Sequence, residues 1–168
     1  VRKLLLRDSI YTLGLTRRGR DVPEALQGNL HFLTPAQQMM DTEFALIPAR
    51  ITLEELETKA RTRALPPNLV AVRDGKIMGW ITRERVLATA ARGQDPATPI
   101  GHLVSQDYAV VDKEMSLLEV MAQMRDQEAE VALVSSPGKA GTGAEIQGVI
   151  TKELVADYVG RATDWYHR

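Results

Sequence analysis

The chain of 168 residues contains no cysteine. This absence excludes a disulfide scaffold, a thiolate nucleophile and any zinc or iron–sulfur site held by cysteine. Aromatic residues make up only 5 % of the chain, so its core has to be built from aliphatic side chains and methionine. No apolar run approaches the roughly 20 residues that a membrane-spanning helix needs. The composition, 44 % hydrophobic and 26 % charged, is that of an ordinary globular protein.

Recognisable catalytic and metal-binding patterns are also missing from the sequence. The three histidines, His31, His102 and His167, are too widely separated to predict a metal site. No glycine-rich phosphate loop and no pairing of a nucleophile with a base occur. We therefore expect no catalytic residue and no metal ligand, and we predict that the chain is not an enzyme.

Positive charge is scarce except at one end of the chain. Residues 1–20 carry six Lys or Arg and one acid, a local net charge of +5. The other 148 residues carry 15 basic and 21 acidic groups, a net charge of −6. This basic head is either a solvated terminus or a segment attracted to anionic headgroups beside a membrane. The acidic body and the few aromatic residues argue against nucleic acid as a partner.

An internal repeat is the most informative feature that the sequence does contain. The stretch 79–86, GWITRERV, recurs at 148–155 as GVITKELV. Upstream, 52–56 (TLEEL) is echoed by 116–120 (SLLEV), and 69–72 (LVAV) by 131–134 (VALV). Three elements thus recur in the same order, which indicates two copies of one structural unit.

Each copy has the signals of a βαββα unit. Short apolar stretches at 45–48 and 109–111 predict a first strand. Thr52 and Ser116 then predict helix N-caps, because Glu55 and Glu119 lie three residues later and complete a capping box. A buried strand, a turn and another strand follow, and the closing helix begins after a threonine in both copies.

The connections between these elements differ between the copies. Asp74-Gly75 predicts a tight hairpin in the first copy, whereas 135–144 predicts a mobile loop of small residues in the second. Residues 93–99 form a linker rich in glycine and proline. Thr34-Pro35-Ala36-Gln37 predicts a lead-in helix over 35–42, with a shorter counterpart at 102–104.

Strands alternating with helices predict an α/β fold in which the two copies form a pseudo-symmetric pair, preceded by an N-terminal linker and helix. One copy alone leaves a sheet face uncovered, so we expect the copies to pack against each other. The predicted organisation is a basic linker at 1–33, a first repeat at 34–93, and a second repeat with a C-terminal helix at 94–168.

The repeat resembles the CBS domain. The shared pattern is a capped helix and a hairpin, followed by glycine, two apolar residues, threonine, two polar residues and an apolar helix. Two such units in tandem resemble a CBS pair, or Bateman module, over roughly residues 35–160. CBS pairs often bind adenine nucleotides in the clefts between their two units, so the resemblance implies a regulatory binding module.

The resemblance also implies particular site residues. In the family pattern, the threonine after the third strand contacts the phosphate side of a nucleotide, and Thr82 and Thr151 match it. An aspartate three residues later binds the ribose hydroxyls, but Arg85 and Leu154 occupy these positions here. The missing carboxylates argue against a nucleotide cofactor. For each threonine, simple helix capping is the alternative interpretation.

Two further residues are candidates for the same kind of site. Arg85 is either a partner for a phosphate or another anion at a helix N-terminus, or a surface arginine. Tyr108, just before the first strand of the second copy, either stacks on an adenine ring or lies at the edge of the core. An adenine nucleotide thus remains an open possibility and no cofactor is predicted with certainty.

The leading segment resembles a different part of a known family. Residues 9–19 (SIYTLGLTRRG) and 22–30 (VPEALQGNL) resemble the stretch that joins the last membrane helix of CLC-type chloride channels and transporters to their cytoplasmic CBS pair. The resemblance places Tyr11 where the family has a tyrosine that faces the inner chloride site. It implies that a membrane domain precedes the basic linker.

Two functions follow as hypotheses. The first is a regulatory and dimerisation module of a CLC-type chloride channel or proton/chloride exchanger, on the cytoplasmic side of the membrane. Its partners are a second copy of the chain and its own membrane domain. The alternative is an adenine-nucleotide-sensing CBS module that regulates another protein or enzyme.

Overall fold

The computed structural model describes residues 30–136 and 145–164, with the side chains given up to residue 161. Both predicted βαββα units are present. The first consists of β1 (Phe44–Pro48), α2 (Leu53–Arg61), β2 (Asn68–Arg73), β3 (Lys76–Thr82) and α3 (Arg83–Ala91). The second consists of β4 (Tyr108–Asp112), α4 (Leu117–Asp126), β5 (Val131–Ser135), β6 (Ile146–Thr151) and α5 (Lys152–Asp164). A 3₁₀ turn (His31–Leu33) and a short helix α1 (Ala36–Met39) precede the first unit, and a second 3₁₀ turn (Ile100–His102) precedes the second.

Each unit contains one three-stranded mixed sheet, and the two sheets have the same topology. In the first sheet, β1 runs parallel to β2, which pairs with β3 in an antiparallel hairpin. In the second, β4, β5 and β6 repeat this arrangement, and a register shift interrupts both hairpins. The α/β fold predicted from the sequence is confirmed.

Local hydrogen bonds fix where the helices begin. The Glu55 amide donates to Thr52 Oγ1 at 3.2 Å, and the Thr52 amide donates to Glu55 Oε2 at 3.2 Å. Ser116 and Glu119 form the same reciprocal pair at the start of α4. The backbone hydrogen bond from Ser116, with a second from its hydroxyl, lowers the pKa of Glu119 below its ordinary value. Both predicted capping boxes are confirmed.

The predicted hairpin is also confirmed, since Asp74 and Gly75 have φ values of 51° and 77°. Positive φ at both central residues is what a type I′ turn requires. The predicted mobile loop at 135–144 falls for the most part on residues 137–144, which lie outside the described residues.

Three apolar clusters hold the described part of the molecule together. Leu53, Leu56 and Ala60 of α2 are buried in a cluster under the first sheet. Leu117, Val120 and Met124 of α4 are buried in the corresponding cluster of the second. A third cluster lies between the two sheets and is made of Val70, Val131, Leu133, Ile146 and Val149, with further partly buried side chains around it. The sheets therefore pack face to face, as the uncovered face of a single unit predicts.

The segment that precedes each unit packs on the other unit. Residues 35–43, the first lead-in segment, pair with the second unit through Pro35–Ser116 and Asp41–Val149. Residues 99–107, the second lead-in segment, pair with the first unit through Pro99–Thr52 and Ser105–Trp80. The predicted boundaries at 33/34 and 93/94 assign each lead-in segment to the repeat that follows it in the chain. In the folded structure each lead-in segment packs instead on the other unit.

This exchange explains why the predicted lead-in helix over 35–42 is wrong in its length. Helix α1 covers only Ala36–Met39, and its N-cap residue is Pro35, with no side-chain capping bond from Thr34. Pro35 and Met40 both have extended backbones. The amides of Asp41 and Val149 each donate to the other residue's carbonyl oxygen at 2.9 Å. The pairing of the flanking residues with the second unit leaves room for a single helical turn.

Close packing of the lead-in segments also explains the glycine that opens the repeated stretch. An added Cβ at Gly79 would lie 2.5 Å from the Ser105 carbonyl oxygen and 2.7 Å from Val104 Cγ2. One at Gly148 would lie 2.5 Å from Met40 Cγ and Sδ. Both third strands therefore require a residue without a side chain, because an exchanged segment lies against the backbone.

Candidate functional site

A cleft of about 520 Å³ lies where the last strands of the two units end. Thr82 ends β3 and Thr151 ends β6, and both line this cleft together with Trp80 and Leu154. The antiparallel hairpins bring the two strand ends side by side once the sheets have packed face to face. The structure thus brings together the two threonines selected from the sequence.

Both threonines cap the helices that follow them. The Arg85 amide donates to Thr82 Oγ1 at 3.1 Å, and the Leu154 amide donates to Thr151 Oγ1 at 3.1 Å. Each hydroxyl keeps its own hydrogen as a donor towards the cleft, because the capping bond uses only an oxygen lone pair. Capping and a contact with a bound ligand are therefore compatible roles.

The two positions that carry the ribose-binding aspartate in the family pattern have different surroundings here. Leu154 is half-buried and lines the cleft, where its side chain offers no hydrogen bond. Arg85 is exposed, and its guanidinium Nη1 donates to Ser105 Oγ at 2.8 Å. Neither residue accepts a hydrogen bond from a sugar hydroxyl.

The charge of the cleft walls is predominantly negative. The two cationic residues are both engaged, since Lys152 pairs with Glu130 and Arg83 Nη1 donates to the Leu65 carbonyl at 2.8 Å. The carboxylates of the walls outnumber them: Asp41, Glu84, Glu130, Glu153 and Asp157. A ligand phosphate placed beside the two threonines would meet repulsion from these groups.

A second pocket of about 510 Å³ adjoins the cleft, and Pro67 and Arg83 line both. Arg63 lies on its wall, together with Phe44 and Pro66. The ion pairs found among the described residues involve neither arginine. Arg63 and Arg83, whose Nη1 donates to the Leu65 carbonyl, thus line the adjoining pocket together with one carboxylate, Glu43, and the side beside the threonines is more acidic.

Sequence reasoning missed this cationic pocket. Arg63 has a left-handed backbone, with φ of 55°, at the end of α2, and Arg83 is the first residue of α3. The Pro66-Pro67 pair was a signal for a fixed loop. Nothing in the sequence indicated that this loop and the start of α3 would face each other, although the Arg83 amide donates to the Pro67 carbonyl at 2.9 Å.

Tyr108 lies apart from the threonines. Its ring is half-buried at the edge of the cluster between the sheets and borders a separate groove with Gln106 and Gln123. Tyr11 lies outside the described residues, as does the whole basic head. Across residues 30–136 and 145–164, no helix is long and apolar enough to span a membrane. The same ranges hold no group of three or more potential metal ligands.

Comparisons with known proteins give similarity in structure alone. No protein-family model matches the sequence, and no curated protein is significantly similar to it. The CBS domain of a bacterial CNNM/CorC family Mg²⁺ transporter, solved with the inhibitor IGN95a, has a TM-score of 0.62 and 17 % identity, over 91 % of this chain and 94 % of that one. A CBS domain from the same transporter family, solved in complex with ATP, has a TM-score of 0.61 and 20 % identity, over 82 % and 95 % of the two chains.

A third similar structure comes from a protein of another kind. A hemolysin-like protein containing a CBS domain, from Oenococcus oeni PSU, has a TM-score of 0.61 and 15 % identity, over 82 % of this chain and 98 % of that one. The described part of this chain therefore shares the fold of CBS-domain proteins.

Proposed function

We propose that this CBS fold is the regulatory and dimerisation module of a CLC-type chloride channel or proton/chloride exchanger, on the cytoplasmic side of the membrane. Residues 9–30 support the CLC assignment by their resemblance to the linker of that family. The net charge of +5 over residues 1–20 supports a position beside anionic headgroups. In this proposal the module assembles and couples subunits and has no catalytic activity of its own.

An exposed apolar patch on the second unit carries the dimerisation part of the proposal. The side chain of Leu118 on α4 is 57 % exposed. Met121, three residues further along α4, lines a groove of about 430 Å³ together with Val155, and we call Leu118, Met121 and Val155 the apolar helix face. Exposed apolar patches of this kind are typical of protein–protein contacts.

The first unit has no such patch at the equivalent positions. Glu54 and Glu57 of α2 stand where α4 has Leu118 and Met121, and Arg61 pairs with Glu57 at 2.6 Å. Each chain therefore presents the apolar helix face once, which suits a closed two-fold dimer. The rim of the groove carries both signs, with Arg125 and Glu128, so a second copy offers it complementary charge.

Light scattering coupled to size-exclusion chromatography tests dimerisation. We expect the chain to elute as a dimer at high micromolar concentration and Leu118→Glu to elute as a monomer. Leu46→Glu is the matched control, because Leu46 is 40 % exposed on the edge strand β1, and this variant should stay dimeric. A monomeric unmodified chain, or equal loss of the dimer in both variants, would contradict the proposal.

The CLC assignment requires a test on the whole protein. We expect the reading frame upstream of Val1 to encode about ten hydrophobic segments of membrane-spanning length. The full-length protein in liposomes should release chloride, and Tyr11→Phe should alter that flux. Release of Mg²⁺ without chloride would refute the assignment and favour a transporter like those whose CBS domains share this fold.

The second candidate function is adenine-nucleotide sensing, and one observation favours it. Arg63 and Arg83 line a pocket with Phe44 and Pro66, a combination that offers charge to a phosphate and flat apolar walls to a base. A structure with this fold has been solved with ATP. Calorimetry with AMP, ADP and ATP tests this function. Micromolar binding that Arg83→Ala abolishes would establish it, and the absence of heat with all three would exclude it.

A further inference from the structure

The two lead-in segments form different hydrogen bonds with the units on which they pack. In both, a single residue forms a backbone bridge with the third strand of the other unit: Ser105 with Trp80, and Asp41 with Val149. The second lead-in segment also has two side-chain bonds to the unit it covers. Arg85 Nη1 donates to Ser105 Oγ at 2.8 Å, and Trp80 Nε1 donates to Asp107 Oδ1 at 2.9 Å.

The first lead-in segment lacks the corresponding pair of bonds within the described residues. Leu154 stands where the first unit has Arg85, and its side chain has no donor. Asp41, the counterpart of Ser105, instead accepts a bond from the Glu43 amide at 2.7 Å inside its own segment. The second lead-in segment is thus held by side-chain and backbone hydrogen bonds, whereas the first is held by backbone hydrogen bonds and apolar contacts.

We propose that the Arg85–Ser105 and Trp80–Asp107 bonds form an internal clamp, which holds the second lead-in segment against the first unit without any ligand. In the family pattern the position of Arg85 carries an aspartate that binds the ribose hydroxyls. Here the Arg85 guanidinium, together with the Trp80 indole, joins the first unit to the second lead-in segment.

Amide hydrogen exchange tests the clamp on the unmodified fold. The amides of Ser105 and Trp80 donate to each other's carbonyl oxygens at 2.8 and 2.9 Å, so their exchange reports opening of the second lead-in segment. We expect Arg85→Ala and Ser105→Ala each to accelerate this exchange about five- to tenfold, the effect of losing one hydrogen bond. Because the two variants remove the same bond, the double variant should be no faster than either single one.

The molecule supplies its own controls. The amide of Asp41, which bonds to the Val149 carbonyl at 2.9 Å, reports the equivalent segment of the other half and should be unaffected. Glu84→Ala, on the same helix as Arg85, should leave all these rates unchanged. Unaltered exchange in Arg85→Ala, additive effects in the double variant, or equal acceleration at Asp41 would each overturn the proposal.

Tryptophan fluorescence tests the clamp independently of amide hydrogen exchange. The chain has two tryptophans, so Trp165→Phe leaves Trp80 as the only tryptophan, which can be excited selectively over tyrosine. In that background Asp107→Ala should increase quenching of Trp80 by acrylamide, because the indole loses its partner in the cleft. Unchanged quenching in a variant that still unfolds cooperatively would argue against the clamp.

Discussion

Alanine placed at the two repeated glycines should destabilise the fold by clearly different amounts. At Gly79 the added Cβ would meet the Ser105 carbonyl oxygen at 2.5 Å and Val104 Cγ2 at 2.7 Å. Neither a backbone atom nor a stiff β-branched side chain moves away at low cost. The residue also has φ of 155°, which alanine rarely adopts. Overpacking of this kind costs about 1–3 kcal/mol, and the backbone strain adds about 1 kcal/mol more.

At Gly148 the three atoms nearest to the added Cβ all belong to the side chain of Met40, its Cγ and Sδ at 2.5 Å and its Cβ at 2.9 Å. Another rotamer of this flexible side chain removes the contacts with Cγ and Sδ, and a small shift of the lead-in segment relieves the contact with Cβ, so the expected loss is about 1 kcal/mol. The difference between the two variants is then about 2 kcal/mol. With a urea m-value of about 2 kcal/mol per molar, this difference separates their unfolding midpoints by about 1 M.

Urea unfolding followed by circular dichroism measures both variants against the unmodified chain. Val104→Ala in the Gly79→Ala background should restore only part of the stability, because the contact with the Ser105 carbonyl remains. Gly160→Ala in α5 is the control, since its Cβ would meet nothing within 4 Å and helix propensity favours alanine. Equal losses at the two glycines, or full rescue by Val104→Ala, would refute the reasoning from the exchanged segments.

Four further predictions follow from the same structure. Ser116→Ala should lower the free energy of unfolding by about 1 kcal/mol in thermal or urea denaturation, because it removes the cap of α4, and an unchanged midpoint would contradict this role. The lowered pKa of Glu119 gives a stabilisation that is present above the ordinary glutamate pKa and lost as the pH falls through the lowered one. The contribution of Glu119 to the pH dependence of stability is small, because the group is exposed to solvent. Unfolding midpoints measured over a series of pH values should lose this contribution in Glu119→Gln. Leu56→Ala should cost about 2–5 kcal/mol, since the side chain is fully buried, and a loss below 1 kcal/mol would show that the core collapses around the gap. Arg85→Asp should raise the affinity for AMP, measured by calorimetry, if the cleft lacks only a carboxylate for the ribose. Unchanged affinity would show that repulsion between the phosphate and the acidic cleft walls prevents binding.

The secondary structure could be predicted from the sequence because its signals are local. The capping boxes at Thr52 and Ser116 and the turn at Asp74-Gly75 each depend on residues within four positions of one another. The internal repeat also predicted that the two units pack together, because the uncovered sheet face of one unit requires the sheet face of the other to bury it.

The candidate site was only partly accessible in this way. Thr82 and Thr151 were found because the repeat marks them, and packing brings them into one cleft. Arg63 and Arg83 were missed, because the pocket they share depends on a loop and a helix start that are twenty residues apart. The acidic character of the cleft likewise depends on carboxylates drawn from both units.

The sequence by itself determined two βαββα copies, their caps and turns, and the absence of a ribose-binding carboxylate at Arg85 and Leu154. Only the tertiary structure decided that each lead-in segment packs on the other unit. This exchange shortens α1, requires glycine at Gly79 and Gly148, and brings Ser105 to the guanidinium of Arg85. These features come from contacts between residues far apart in the chain, so no local pattern of side chains could specify them.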